Sequence, residues 1–180
     1  MSISRKETRE EKRKAFEAVV SGYESYLLRY VSHLIRDVNA AQDVVQETFI
    51  RLYERWHEEM ERSAKLSSWL YRVAHNCAVD HIRKESRRHL LHERQSKEEE
   101  HSIIAERHVA GEISEEAERA VKALGKLSLK EQQLVILKVY EEMSYREISE
   151  IAGLSVSNVG YILHFAMKKM ADELKKAEML

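Results

Sequence analysis

Not one proline interrupts this sequence of 180 residues, and glycine occurs only five times. Proline breaks helix interiors and glycine weakens them, so a chain this poor in both is free to run as helix over most of its length. Charged residues make up 34% of the chain, and the expectation is an all-α protein. The length suits one domain or two small ones.

The stretch that organises the chain is Leu66 to Arg88, reading LSSWLYRVAHNCAVDHIRKESRR. At about 100° per residue, Leu70, Val73, Ala74, Cys77 and Ala78 form one apolar stripe. Arg72, Asn76, Arg83 and Arg87 fall in a narrow arc on the opposite side. Cations flanking an amide suit a nucleic-acid strand, with charge for phosphates and a planar donor and acceptor for a base edge. The plainer reading, a solvated face on a core helix, has equal weight on periodicity alone.

Charge is segregated along the chain although the whole molecule carries only −1. Between Asp37 and Glu61 seven acids face two bases, a net of −5. Between Arg62 and His89 seven bases face two acids, a net of +5. An acidic surface followed by a basic one points to two different partners for one domain.

Other classes recede. The single cysteine, Cys77, allows no internal disulfide and fits a reducing compartment. On the apolar stripe it reads as an inert core thiol. Of nine histidines, His75, His81, His89, His92, His101 and His108 have no regular ligand spacing, and His89-x-x-His92 is a weak pair. No metal site is expected. MSISRKETREEKRK lacks the apolar run of a signal peptide, and no stretch approaches the ~20 apolar residues of a membrane span. The expectation is a soluble, cytoplasmic protein without membrane insertion.

Taken in order, residues 1–14 read as a flexible lead-in. Helical periodicity then runs from Ala15 through Phe16, Val19, Val20, Tyr23, Tyr26, Leu27 and Tyr30 to Leu34, with Gly22 a candidate break between two helices. Asn39 with Gln42 reads as an N-cap opening a helix through Val44, Val45, Phe49, Ile50, Leu52 and Tyr53. A compact helical domain is expected over 15–90. Residues 91–118 carry nine acids against three bases and read as a solvated acidic linker with transient helix.

The second domain occupies 119–180. Ser128 with Glu131 forms a capping box before QQLVILKVY, and Ser144 with Glu147 another before Ile148 and Ile151. Gly153 ends that short helix, and Ser155 or Ser157 caps the next. Val156, Val159, Leu163, Ala166 and Met170 give the last helix an apolar stripe. Two short helices joined by a Gly-containing turn are a helix-turn-helix signature.

The chain resembles bacterial RNA polymerase sigma factors of the extracytoplasmic-function (ECF) group of the sigma-70 family. The resemblance rests on DVVQETF at Asp43–Phe49, WLYRVAHN at Trp69–Asn76 followed by Asp80 and Arg83, and the segment Leu124–Val159. It implies a region 2 that binds core polymerase and recognises and melts the minus-ten element, and a region 4 that reads the minus-thirty-five element. It implies that Asp43, Gln46, Glu47 and Phe49 meet the polymerase clamp coiled coil, with the flap a further contact of the chain. Phe49 equally fits a core position.

By the same resemblance Trp69, Arg72, Asn76, Arg83, Lys84, Arg87 and Arg88 meet double- and single-stranded minus-ten DNA. Asn76 takes the place that contacts a flipped base, and Trp69 is either a stacking wedge or a core aromatic. Ser155, Ser157, Asn158, Gly160, Tyr161, His164, Lys168 and Lys169 would serve the minus-thirty-five element. An anti-sigma partner is implied, with Tyr161, Ile162 and Phe165 as candidate contacts. No cofactor and no catalysis by this chain are implied.

Three departures mark this sequence. Trp56–Leu66, expected to shape the flipped-base pocket, holds HEEMERSAK without glycine. Gly160, Tyr161 and Ile162 stand where the family usually places Arg or Lys. Ile162 and Phe165 lie off the apolar stripe, either widening the core face or awaiting a protein. Two rivals are a helix-turn-helix regulator independent of polymerase, which leaves DVVQETF unused, and an adaptor that binds only protein.

Overall fold

The computed structural model describes residues 2–56, 65–95 and 114–178. Among them are seven helices and no strand. They are α1 (Ser2–Ile35), α2 (Val38–Glu54), α3 (Leu66–Gln95), α4 (Glu115–Gly125), α5 (Leu129–Val139), α6 (Tyr145–Ala152) and α7 (Val156–Glu178).

The first three pack pairwise against one another. Leu27, Tyr30 and Val31 from α1 meet Ala41, Val44, Val45 and Leu52 from α2, and Leu70, Ala74 and Ala78 from α3, all of them buried. The stripe expected on α3 is therefore the core face, and Cys77 is buried in it. Phe16 extends the core outward, with its ring edge-on to Tyr53 and Trp56 at 5.4 and 5.3 Å.

Two local expectations fail here. Gly22 does not separate helices: α1 runs through it and reaches back to Ser2, across the segment read as a lead-in. Nothing lies within 4 Å of the position a Gly22 Cβ would take, so the residue simply continues the helix. Asp37, not Asn39, caps α2, its carboxylate accepting from the backbone N–H groups of Asn39 and Ala40. The chain makes the corner by turning Arg36 left-handed at φ 59°.

The last four helices follow their caps closely. Ser128–Glu131 and Ser144–Glu147 are both complete capping boxes. Those hydrogen bonds help hold both glutamates below the usual carboxylate range, Glu131 most strongly through Lys169. Gly153 ends α6 at φ 66°, a conformation that favours glycine. Ser155 accepts from the Asn158 N–H at the start of α7. Around α7 pack α4, α5 and α6, burying Leu134, Ile136, Ile148, Val159, Leu163 and Ala166.

The two groups form one body. α5 rests on α1 and α6 on α3, and a single cluster of buried side chains runs from Val19 to Ala166. Helix α3 continues to Gln95 and α4 begins at Glu115, so both ends of the acidic segment are helical. Its centre, 96–113, lies outside the described residues.

Candidate nucleic-acid interface

Three solvent-facing helix surfaces collect the residues singled out in the sequence. The first is on α2. Burying Ala41, Val44, Val45, Thr48, Phe49 and Leu52 leaves Asp43, Gln46 and Glu47 outside, because residues three and four apart share a helix face. Arg51 pairs with Glu47 at 2.9 Å. Phe49 is the exception: at 9% exposure its ring packs in the core, the second of the two places open to it, as aromatics at core spacing usually do. Ile50 and Tyr53 stand exposed beside the acids, Tyr53 at 68%. Sequence reading assigned both to the apolar periodicity, yet the steps 43, 46, 50, 53 were the available signal.

The second surface is on α3. Asn76, Arg83, Lys84, Arg87 and Arg88 are all exposed. Arg88 pairs with Glu85 at 2.7 Å, and Arg87 donates to the Arg83 carbonyl at 3.3 Å. Trp69 is half-buried and packs against the core, which favours packing over a free stacking wedge. Arg72 is exposed but not idle. Its guanidinium donates to the backbone carbonyls of Glu150 and Ile151 at the end of α6. Much of Trp56–Leu66, the segment expected to shape a flipped-base pocket, lies outside the described residues.

The third surface is the outward arc of α7, the second helix of the helix-turn-helix. Ser157, Asn158, Tyr161, His164 and Lys168 are exposed. Tyr161 and Phe165 lie with ring centroids 4.6 Å apart, and His164 meets Phe165 edge-on. Ile162 instead packs partly onto the core, so the two residues off the stripe divide. Ser155 spends its hydroxyl as a cap, and Lys169 pairs with Glu131. Gly160 faces the Tyr145 ring, where an added Cβ would sit at 3.5 Å, an ordinary contact. Arg146, at the start of α6, has a side chain 87% exposed and was not anticipated.

Burial pushes the Cys77 thiol up, as expected of a core cysteine. No group of acids, histidines and cysteine suited to a metal ion occurs among the described residues. No helix described is long and apolar enough to cross a membrane.

Comparison with known proteins matches residues 19–88 to the sigma-70 region 2 model and residues 117–170 to the sigma-70 region 4 model. Together they span more than two thirds of the chain. The chain is 27% identical over 168 residues to the ECF RNA polymerase sigma factor SigW of Bacillus subtilis, covering 89% of each. It is 29% identical over 161 residues to the RNA polymerase sigma-E factor of Streptomyces coelicolor, covering 88% of this chain and 85% of that one.

A crystal structure of the sigma factor RpoE of Bartonella quintana in complex with the anti-sigma factor NepR matches in fold. Its TM-score is 0.65 at 20% identity, over 90% of this chain and 98% of that one. Helices α1–α3 are thus region 2 and α4–α7 region 4, and the chain belongs to the ECF group of the sigma-70 family, the factors that direct RNA polymerase to promoters.

Proposed function

We propose that the three surfaces divide the work of promoter-directed initiation. The observation that carries this reading is the pairing of an acidic outward face on α2 with a basic, asparagine-centred face on α3, both built on one three-helix core. Asp43, Gln46 and Glu47, flanked by Ile50 and Tyr53, meet the basic clamp coiled coil of core polymerase. Opposite charge steers that encounter and apolar neighbours add buried area.

On α3, Arg83, Lys84, Arg87 and Arg88 hold phosphates of the minus-ten duplex, and Asn76 receives an unstacked base. Capturing such a base offsets part of the cost of opening the duplex. On α7, Ser157, Asn158, Tyr161 and His164 meet base edges of the minus-thirty-five element. Lys168 and Arg146 hold phosphates, so affinity falls as salt rises. The polymerase supplies the chemistry, and this chain works where polymerase does, in the cytoplasm. Tyr161 and Phe165 are also contacts open to an anti-sigma protein.

The test is reconstitution with core polymerase and transcript mapping on a genomic DNA pool, wild type against Asn76→Ala. The expected result is discrete start sites for wild type, lost in the variant while polymerase binding persists. Wild-type chain that binds polymerase without producing discrete starts would overturn the reading.

A further inference from the structure

A recognition helix reads base edges with the residues near its N-terminus. The commonest specific contact is Arg or Lys on guanine, whose major-groove edge presents the acceptors O6 and N7. Helix α7 has no such group to offer there. Its first twelve residues, VSNVGYILHFAM, contain neither Lys nor Arg. The first of them, Lys168, stands about 18 Å along the helix from Val156.

What this face presents instead is aromatic. Tyr161 is 65% exposed and Phe165 43%, and their ring centroids lie 4.6 Å apart, so the two rings make one apolar surface. At about 100° per residue they share an arc with Ser157, Asn158 and His164, opposite the buried Val159, Leu163 and Ala166. Gly160 lies at the edge of that arc and leaves its place to the exposed Tyr145 ring. A Cβ on Gly160 would meet Tyr145 Cε2 at 3.5 Å. Alanine therefore fits, whereas a long side chain would displace the ring. Cations stand around this aromatic centre. Lys138 Nζ lies 5.6 Å from the centroid of the Tyr145 ring, and Arg146 and Lys168 are exposed on either side.

An apolar centre with a basic rim matches a groove whose walls are phosphate and whose floor carries methyl groups. The 5-methyl of thymine is the apolar group that a base pair presents there. We propose that α7 reads its minus-thirty-five element through thymine methyls, with Tyr161 and Phe165 setting the specificity and Gly160 making room for Tyr145. The Asn158 carboxamide, on the same arc, suits adenine N6 and N7. The element selected is then built of A·T pairs. The departure from the family at Gly160 and Tyr161 is a change in what is read, not a loss of reading. This inference rests on the proposed role of the α7 face.

The test uses the full chain bound to core polymerase and a promoter taken from its mapped start sites. Three templates are compared. One is natural, one has deoxyuracil for every thymine of the minus-thirty-five stretch, and one has G·C pairs throughout that stretch. Deoxyuracil removes the methyl and keeps the pairing. Wild type is expected to bind the deoxyuracil template more weakly, by about fourfold for each methyl it covers, and the G·C template more weakly still. The double variant Tyr161→Ala, Phe165→Ala removes two exposed rings, and circular dichroism is expected to show unchanged helicity. It should bind the natural and deoxyuracil templates equally. Gly160→Ala should keep the thymine preference and Gly160→Leu lose part of it.

Wild type that ignores deoxyuracil but loses affinity on the G·C template would overturn methyl reading and leave the α7 face as the reader. A double variant still sensitive to deoxyuracil would overturn the assignment to Tyr161 and Phe165, and leave that pair to a protein partner. Gly160→Leu with the wild-type preference would overturn the part given to Tyr145. Indifference to the G·C template, or no discrete starts at all, sinks the α7 reading and this inference with it.

Discussion

Regions 2 and 4 are both small helical units, but different forces define their helices. Region 2 has three helices of 34, 17 and 30 residues, the first two joined by a left-handed Arg36 and an aspartate cap. Region 4 has helices of 11, 11, 8 and 23 residues, and the first three begin at a serine cap. Short helices are marginal by themselves, because nucleation costs more than a few turns return. Region 4 therefore depends on its ends, where each cap satisfies backbone donors that have no partner inside the helix. Region 2 depends on its length and on the apolar face that three long helices share.

Three experiments sharpen that contrast. The largest effect is expected in the region 2 core. Leu70 is completely buried, and Leu70→Ala should cost about 2–5 kcal/mol, from lost burial and the cavity left behind. Denaturant unfolding followed by circular dichroism measures it. A loss below about 1 kcal/mol would show that the α1–α3 core relaxes around the gap and does not define the region.

The second concerns the seam between regions. The buried Tyr30 hydroxyl lies 3.0 Å from His75 Nδ1. Burial, with the Lys130 charge of region 4 acting in the same direction, pulls the His75 imidazole down to about 4. An unfolded histidine titrates near 6.5, so between these values the unfolded chain binds the extra proton. Stability from this group is fully present above about pH 6.5 and is lost as pH falls toward 4, to a total on the order of 3 kcal/mol. His75→Gln should flatten that part of the stability profile. An unchanged slope would place the acid sensitivity of that window elsewhere.

The smallest effect belongs to the caps. Ser144→Ala removes the hydroxyl that accepts from the Glu147 N–H and should cost about 1 kcal/mol. The loss should appear in region 4, as faster amide exchange at the start of α6, while region 2 amides keep their protection. Equal loosening of both regions would show that the shared seam transmits even a local cap defect.

The same contrast decided what could be read beforehand. The capping boxes at Ser128 and Ser144, the Gly153 stop and the amphipathic α7 each lie within a few residues, and each is present as expected. In region 2 the stripe on α3 was legible for the same reason. The errors there, a break at Gly22 and a cap at Asn39, came from residues whose local meaning is weak. Glycine is tolerated inside a long helix whose neighbours pack, and Asp37 is an equally good cap two positions earlier. Among the candidate contacts, exposure followed the helical period for Asp43, Gln46, Glu47, Asn76, Arg83 and Tyr161. Periodicity could not announce that Phe49 turns inward, that Ile50 and Tyr53 stay outside, or that Lys169 is already paired.

By itself, then, the sequence determined the helices, most of their ends, the segregation of acid and base, and the order of motifs that marks the family. These are properties of neighbours along the chain, where spacing of 3.6 residues and cap chemistry act over a turn or two. Only the tertiary structure decided that the two regions share one buried cluster, that Arg29 and Tyr71 meet a carboxylate at position 141, and that Arg72 is spent on α6. Arg29 and Glu141 are 112 residues apart, and a charge leaves no local trace of the partner it will find when two separate helix faces are brought together.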